Sequence, residues 1–125
     1  MPVNEFHHVN IRVADLEASR EFYESVLGLR AGFRPPVGVP GHWMYCGEAP
    51  VLHLTLRDNL AEPPPATGRI DHVAFGARDF AGTKAMLEAR GIAYRESKVP
   101  AAGVWQIFLT DPNNVTLELN FPAKE

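Results

Sequence analysis

Four side chains of this 125-residue sequence have the donor types of a divalent-metal site: His8, His53, His72 and Glu118. Imidazole nitrogens and a carboxylate oxygen are common ligands for Zn, Fe, Ni, Co and Mn. Two histidines and one carboxylate on one surface, with positions left for substrate, make a catalytic site rather than a structural one. A metal held this way can polarise a carbonyl, stabilise an enediolate or activate oxygen. Taken singly, each residue has an ordinary explanation. A lone strand histidine is usually a satisfied polar group, and a lone glutamate is usually a surface carboxylate. Their spacing argues for more. Displaced by 64 positions, "FHHVNIR" (Phe6–Arg12) falls on "IDHVAFG" (Ile70–Gly76), so that His8 lands on His72. Asp15 lands on Asp79 and Leu16 on Phe80. On the pattern alone, the structural and the metal-binding readings both stand.

The elements that must position these residues follow from the same repeat. Each half is expected to open with a strand, Phe6–Val13 or Ile70–Ala77. An aspartate follows, Asp15 or Asp79, suited to capping a helix with its side-chain oxygen. Amphipathic helices are expected over Leu16–Leu27 and Phe80–Arg90, each stopped by a glycine, Gly28 or Gly91. Further strands are expected at Leu29–Phe33, His42–Cys46 and Val51–Arg57, and again at Ala93–Ser97, Gly103–Thr110 and Val115–Phe121. "DPNN" (Asp111–Asn114) reads as a turn in which Asn114 enters the left-handed region. Between the halves, "DNLAEPPPATG" (Asp58–Gly68) reads as an extended, semi-rigid connection. The expected unit is β-α-β-β-β, used twice, over residues 6–57 and 70–121 of one domain spanning 1–125.

Alternation along the strands sorts the side chains into two faces. Val9, Ile11, Val13, Leu52, Leu54 and Leu56 share one kind of face, as do Val73, Phe75, Leu117, Leu119 and Phe121. These aliphatic faces are expected to pack on the helices. The opposite faces present His8, His53, His72 and Glu118, together with Asn10, Thr55, Gln106 and Asn120. A solvated sheet face is usually rich in Lys, Glu and Arg. This composition suits a lined cavity better. His7 is expected to point away from His8, and His42 has no assigned partner.

Bulk properties exclude several classes. A formal net charge of -3 gives no electrostatic reason to expect nucleic acid as a partner. No apolar run is long enough to span a membrane, and "MPVNEFHHV" does not resemble a signal peptide. Cys46 is the single cysteine. It cannot form an internal disulfide, which fits a reducing, cytoplasmic compartment, and it is expected to be a small buried hydrophobe.

The residues also carry a family resemblance. "HHVNIRVADLEASREFYESVLGL", "PVLHL", "IDHVAF" and "QIFLTDPNNVTLELNF" resemble the vicinal oxygen chelate superfamily. That superfamily includes glyoxalase I, fosfomycin-resistance enzymes, extradiol dioxygenases and bleomycin-resistance proteins. The resemblance covers almost the whole chain. It implies an α+β fold in which two β-α-β-β-β modules form an open, cup-like mixed sheet around one divalent metal. It implies ligands from the first and last strands of each module, which are His8, His53, His72 and Glu118. It also implies a homodimer in which His8 and His53 of one subunit meet His72 and Glu118 of the other.

The departures bear on the reaction. Glyoxalase I usually has glutamate at the position of His53. Extradiol dioxygenases have a tyrosine ahead of the acidic ligand, where this chain has Phe108 and Gln106. Fosfomycin enzymes need a basic cluster, and after Glu118 this chain has only Lys124. Bleomycin-type binders lack the metal ligands. The expected function is a metal-dependent glyoxalase-like lyase or isomerase acting on a small oxygenated substrate through chelation and enediolate stabilisation. Glu118 or His53 would move the proton. Asn10 and Gln106 would orient the substrate, and Trp43 and Tyr45 would form an apolar wall. The alternatives are an Fe(II) or Mn(II) ring-cleaving dioxygenase and a metal-free protein that sequesters a small compound, such as an antibiotic.

Overall fold

The computed structural model describes residues 2, 5–36, 38–57 and 67–124. The elements run β1 (Val9–Val13), α1 (Leu16–Ser25), β2 (Arg30–Gly32), β3 (Gly41–Cys46), β4 (Ala49–Leu56), β5 (Val73–Gly76), α2 (Phe80–Ala89), β6 (Arg95–Val99), a 3-10 turn (Pro100–Ala102), β7 (Val104–Thr110) and β8 (Thr116–Pro122). The expected β-α-β-β-β order therefore occurs twice. It falls in two compact units, Met1–Pro63 and Pro64–Glu125. Each unit holds one open, four-stranded mixed sheet, ordered β1-β4-β3-β2 in the first and β5-β8-β7-β6 in the second. In both, the first strand pairs parallel with the last and the remaining pairs are antiparallel. The α+β class read from the sequence holds. Most of the connection expected at Asp58–Gly68 lies outside the described residues.

The helices begin where the sequence places their caps. The Asp15 carboxylate accepts the Ala18 N–H at 3.0 Å, and the Asp79 carboxylate accepts the Gly82 N–H at 3.0 Å. Past the helix ends, Gly28 and Gly91 take φ of 76° and 67°, which a residue with a Cβ adopts only with strain. Asn114 has φ 63°, as the turn requires. Its loop is organised by the buried Asp111, whose Oδ1 accepts the N–H groups of Asn113 and Val115 at 2.7 and 2.8 Å.

In the first unit Ile11, Val13, Met44, Leu52 and Leu54 are buried with Tyr23 and Val26. In the second, Ile107, Leu109, Leu117, Leu119 and Phe121 are buried with Phe80 and Leu87. Each such side chain contributes about 1.5–3 kcal/mol through the apolar surface it removes from water. Ser19 of α1 is buried as well, at 1% exposure. Its small side chain fits where a helix approaches a sheet closely, and no apolar periodicity marks such a position.

Four expectations need correction. The first strands start three residues late, at Val9 and Val73. Pro50 has no N–H to extend the β4 ladder beyond Val9, and the turn before β8 leaves residues ahead of Val73 without a partner strand. Strand alternation therefore does not hold His7 away from His8. Their Nδ1 atoms lie 2.8 Å apart. His42, to which the sequence assigned no partner, has its Nε2 3.4 Å from Glu17 Oε1. Cys46 is exposed, since β3 ends there and the chain turns at Gly47.

Candidate metal centre

Each unit brings two of the four candidate ligands together. In the second unit β5 and β8 pair in parallel, with Ala74 opposite Glu118. His72 immediately precedes β5. Its Nε2 lies 3.4 Å from Glu118 Oε1, while its Nδ1 lies 2.9 Å from Asp71 Oδ2. The Glu118 side chain is 13% exposed. Its Oε2 accepts a hydrogen bond from Asn120 Nδ2 at 2.7 Å, and Asn120 Oδ1 accepts from Gln106 Nε2 at 3.0 Å. The order Asp71, His72, Glu118, Asn120, Gln106 is thus one polar chain across three strands of the sheet. The hydrogen bond to Asp71, followed by the charge of Glu118, raises the His72 pKa above its ordinary value.

In the first unit β1 and β4 pair in parallel, with Asn10 opposite His53, and Trp43 of β3 lies opposite His53 on the other side. The outcome is a stack. The His8 and His53 rings lie 3.8 Å apart at 13°, and the His53 and Trp43 rings 4.1 Å apart at 8°. His53 is buried, and its Nε2 lies 3.1 Å from the Pro50 carbonyl oxygen. Only an N–H can meet that oxygen, so Nε2 carries the proton and Nδ1 the lone pair. Burial, then the neighbouring His8, lowers the His53 pKa. The two units therefore treat their histidines in opposite ways.

The donor chemistry fits a divalent ion. Two ligands each ~2.1 Å from one tetrahedral ion lie ~3.4 Å apart, and His72 Nε2 and Glu118 Oε1 have that separation. A ligand histidine commonly passes its second N–H to a carboxylate, which fixes tautomer and ring orientation. Asp71 stands where it would do this for His72, and the Pro50 carbonyl holds His53 with its Nδ1 lone pair available. Among the described residues, no group of three or more His, Cys, Asp and Glu side chains is close enough to hold an ion. The donors come as pairs, one pair per unit.

The expected substrate groups sit on the same faces. Asn10 Nδ2 donates to Thr55 Oγ1 at 2.9 Å, so this amide is tied within the sheet. Gln106 is committed to Asn120 in the same way. Trp43 walls His53. The Tyr45 hydroxyl donates to the Phe33 carbonyl at 2.6 Å, and its ring lies over Gly32. A Cβ at Gly32 would come within 2.8 Å of that ring, so the close approach requires glycine. A depression of about 340 Å³ opens beside these residues, lined by Arg30, Gly32, Phe33, Tyr45 and Glu48.

Sequence reasoning missed Asp71, Pro50 and Arg34. Asp71 is the residue before a proposed ligand, a position worth inspecting in any metal site. Pro50 acts through its backbone, which side-chain identity does not reveal. Arg34 donates from a terminal nitrogen to the Val39 carbonyl at 2.8 Å and adds its charge to the lowering of the His53 pKa.

Comparison with known proteins extends this geometry. The family described as the Glyoxalase/Bleomycin resistance protein/Dioxygenase superfamily matches residues 5–119. A protein of Arabidopsis thaliana named Glyoxylase I 4 is 26% identical over 119 residues, covering 90% of this chain and 68% of that protein. The glyoxylase/bleomycin resistance protein/dioxygenase domain from Frankia sp. EAN1pec superposes with a TM-score of 0.77 at 18% identity, covering 98% of this chain and 94% of the other. A mutant of the fosfomycin resistance protein FosX from Listeria monocytogenes, complexed with Mn(II) and 1S,2S-dihydroxypropylphosphonic acid, superposes with a TM-score of 0.74 at 15% identity, covering 96% and 93%.

Proposed function

Because the chain belongs to the Glyoxalase/Bleomycin resistance protein/Dioxygenase superfamily, we propose that it is a metal-dependent lyase or isomerase of the glyoxalase type, acting on a small oxygenated substrate. The observation that carries this reading is the His72–Glu118 pair at 3.4 Å, backed on one side by Asp71 and on the other by Asn120. The Mn(II) bound by the FosX relative adds support for a divalent ion. The ion would be held by His8, His53, His72 and Glu118, and Ni, Zn, Co, Fe and Mn all suit these donors. Since each unit offers two donors, a homodimer with shared sites is the proposed assembly, in which the two pairs come from different subunits. The two modules are proposed to act as one glyoxalase-like domain.

When bound, the ion supplies Lewis-acid relief of the negative charge that develops on neighbouring substrate oxygens. The chain's own residues do the rest. Glu118 is the first proton carrier, and His53, whose single lone pair on Nδ1 cannot hold the ion and take a proton at once, accepts a substrate proton there only where the other three donors hold the ion. Asn10 and Gln106 orient the substrate with the polar atoms their neighbours leave free. Trp43 and Tyr45 exclude water from one side.

Elemental analysis by inductively coupled plasma mass spectrometry is the test. About one metal per chain is expected in the untagged protein, and less than about a tenth of that in the His72→Ala, Glu118→Ala double variant, because removing first ligands exceeds the tenfold to hundredfold cost of losing an outer partner. Absence of metal after reconstitution would sink the proposal and favour a metal-free binding protein in the same fold. Oxygen consumption with a catechol panel would instead establish the ring-cleaving reading. Gel filtration tests the assembly, since a monomer with full metal occupancy would overturn the shared-site dimer.

A further inference from the structure

The polar face of the second sheet carries a cation that the chemistry above leaves unused. Arg95 opens the edge strand β6 and is exposed. Its guanidinium carbon lies 4.3 Å from the centroid of the Phe108 ring. Arg95 is opposite Phe108, Phe108 is opposite Glu118, and Glu118 is opposite Ala74. These four residues form one row across the sheet, on the face that carries Gln106, Asn120 and Glu118. Neighbouring strands lie ~4.8 Å apart, so the backbone of Arg95 stands ~10 Å from that of Glu118.

No ion pair with Arg95 occurs among the described residues. The adjacent Glu96 points to the opposite face, where it pairs with Lys84 of α2 at 2.8 Å. Glu118 is separated from Arg95 by the Phe108 ring and is already engaged by His72 and Asn120. The guanidinium is therefore positioned by the face of an aromatic ring rather than by a carboxylate. That support leaves its N–H edge free, and this edge matches the geometry of a carboxylate or phosphate oxygen pair. Phenylalanine suits the role, because it seats the cation without a hydroxyl that would compete for the incoming anion. Lys98, three residues along the same strand, lies over Trp105 on the helix-covered side and faces away.

We propose that Arg95, seated on Phe108, is the anion seat of the reaction site, so that the substrate carries a carboxylate or a phosphate or phosphonate group a few bonds from the oxygens that face His72 and Glu118. This specificity role rests on the reading of the His72–Glu118 face as the reaction centre. The test uses metal-free, full-length protein, so that it succeeds or fails independently of metal binding. The Phe108 backbone amide signal, which every variant retains, is followed by 15N NMR while acetate and, separately, methylphosphonate are added at constant ionic strength. Saturable movement of that signal is expected, with binding weakened at least about tenfold in Arg95→Gln, the range of losing a charge-assisted bidentate contact. Arg30→Gln removes the same charge from the equivalent strand of the first unit and is expected to leave the binding within about twofold, the scatter of an exposed charge. Tighter binding of acetate assigns a carboxylate substrate, and tighter binding of methylphosphonate a phosphorylated or phosphonate one. The proposal is overturned if neither anion gives saturation. It is equally overturned if Arg95→Gln binds as wild type does, or if Arg30→Gln weakens binding as much as Arg95→Gln.

Discussion

The two units share one topology and differ in how their polar faces treat charge. In the first, the last-strand residue is His53, sandwiched between His8 and Trp43 and held neutral by burial. In the second, the corresponding last-strand residue is Glu118, and its negative charge helps draw His72 toward the protonated form. The difference between His53 and Glu118 thus lies at the centre of the contrast between an aromatic stack and an ionic, hydrogen-bonded chain, with Trp43 facing His53 where Phe108 faces Glu118. A divalent ion needs deprotonated imidazoles and benefits from at least one anionic ligand. The two pairs are proposed to supply these in complementary fashion.

The largest test of this contrast is to remove it. Converting Glu118 to glutamine keeps the shape and the Asn120 contact but deletes the only anionic donor among the four proposed ligands. Metal affinity is expected to fall by more than the tenfold to hundredfold typical of an outer partner, as read by competition with a chromophoric chelator. The change of Asp71 to asparagine acts one step further out and is expected to cost within that tenfold to hundredfold range. An equal loss in the two variants would break the distinction between ligand and supporting group. The hydrophobic faces should behave alike where the polar faces differ. Leu54→Ala in the first unit and Leu117→Ala in the second are both expected to destabilise by about 2–5 kcal/mol in denaturant melts, since both residues are buried.

Titration of the metal-free protein sharpens the comparison at smaller scale. The His53 imidazole signals should move below the ordinary value of 6.5 and those of His72 above it. A lowered folded-state value means that stability from neutral His53 is present above pH 6.5 and declines as pH falls through that value toward the lowered one. A raised value means that the His72 contribution is present below pH 6.5 and is lost as pH rises through its folded value. Asp71→Asn should bring His72 back toward 6.5 and leave His53 where it is. The smallest effect concerns the helix caps. Asp15 caps from an extended backbone with φ -119°, and Asp79 from a left-handed one with φ 66°. Asp15→Ala should cost about 1 kcal/mol. Asp79→Gly should cost less, because glycine relieves the left-handed backbone while the cap is lost. Equal costs in thermal melts would show that backbone strain at Asp79 is negligible.

Much of this was legible in the residues. The repeat set the element order, the two aspartates marked the helix starts, and alternation sorted Leu52, His53, Leu54 and Thr55 to the correct faces. Glu118 and Asn120 were placed together for the same reason. The rest depended on information that side-chain pattern does not carry. The late starts of β1 and β5 come from ladder partners that are missing, which depends on Pro50 and on the turn before β8. The stacking of His8 on His53 needs the parallel pairing of strands about 40 residues apart. Arg95 lies on a short edge strand whose face can be assigned only once its register against Phe108 is known. The partner of His42, Glu17, lies on a helix 25 residues earlier, and the exposure of Cys46 depends on the turn that follows its strand, neither of which residue type reveals.

The Trp43–His53 stack has one more consequence. The chain has two tryptophans. Trp105 packs against Phe80 on the helix side of the second sheet, while Trp43 rests flat against a proposed ligand. Indole emission is quenched by contact with a protonated imidazole and altered when that ring is drawn elsewhere. Emission from Trp43 is therefore expected to change, without any added label, when His53 gains a proton or is engaged by an ion, and emission from Trp105, packed edge-on against Phe80, is expected to change less.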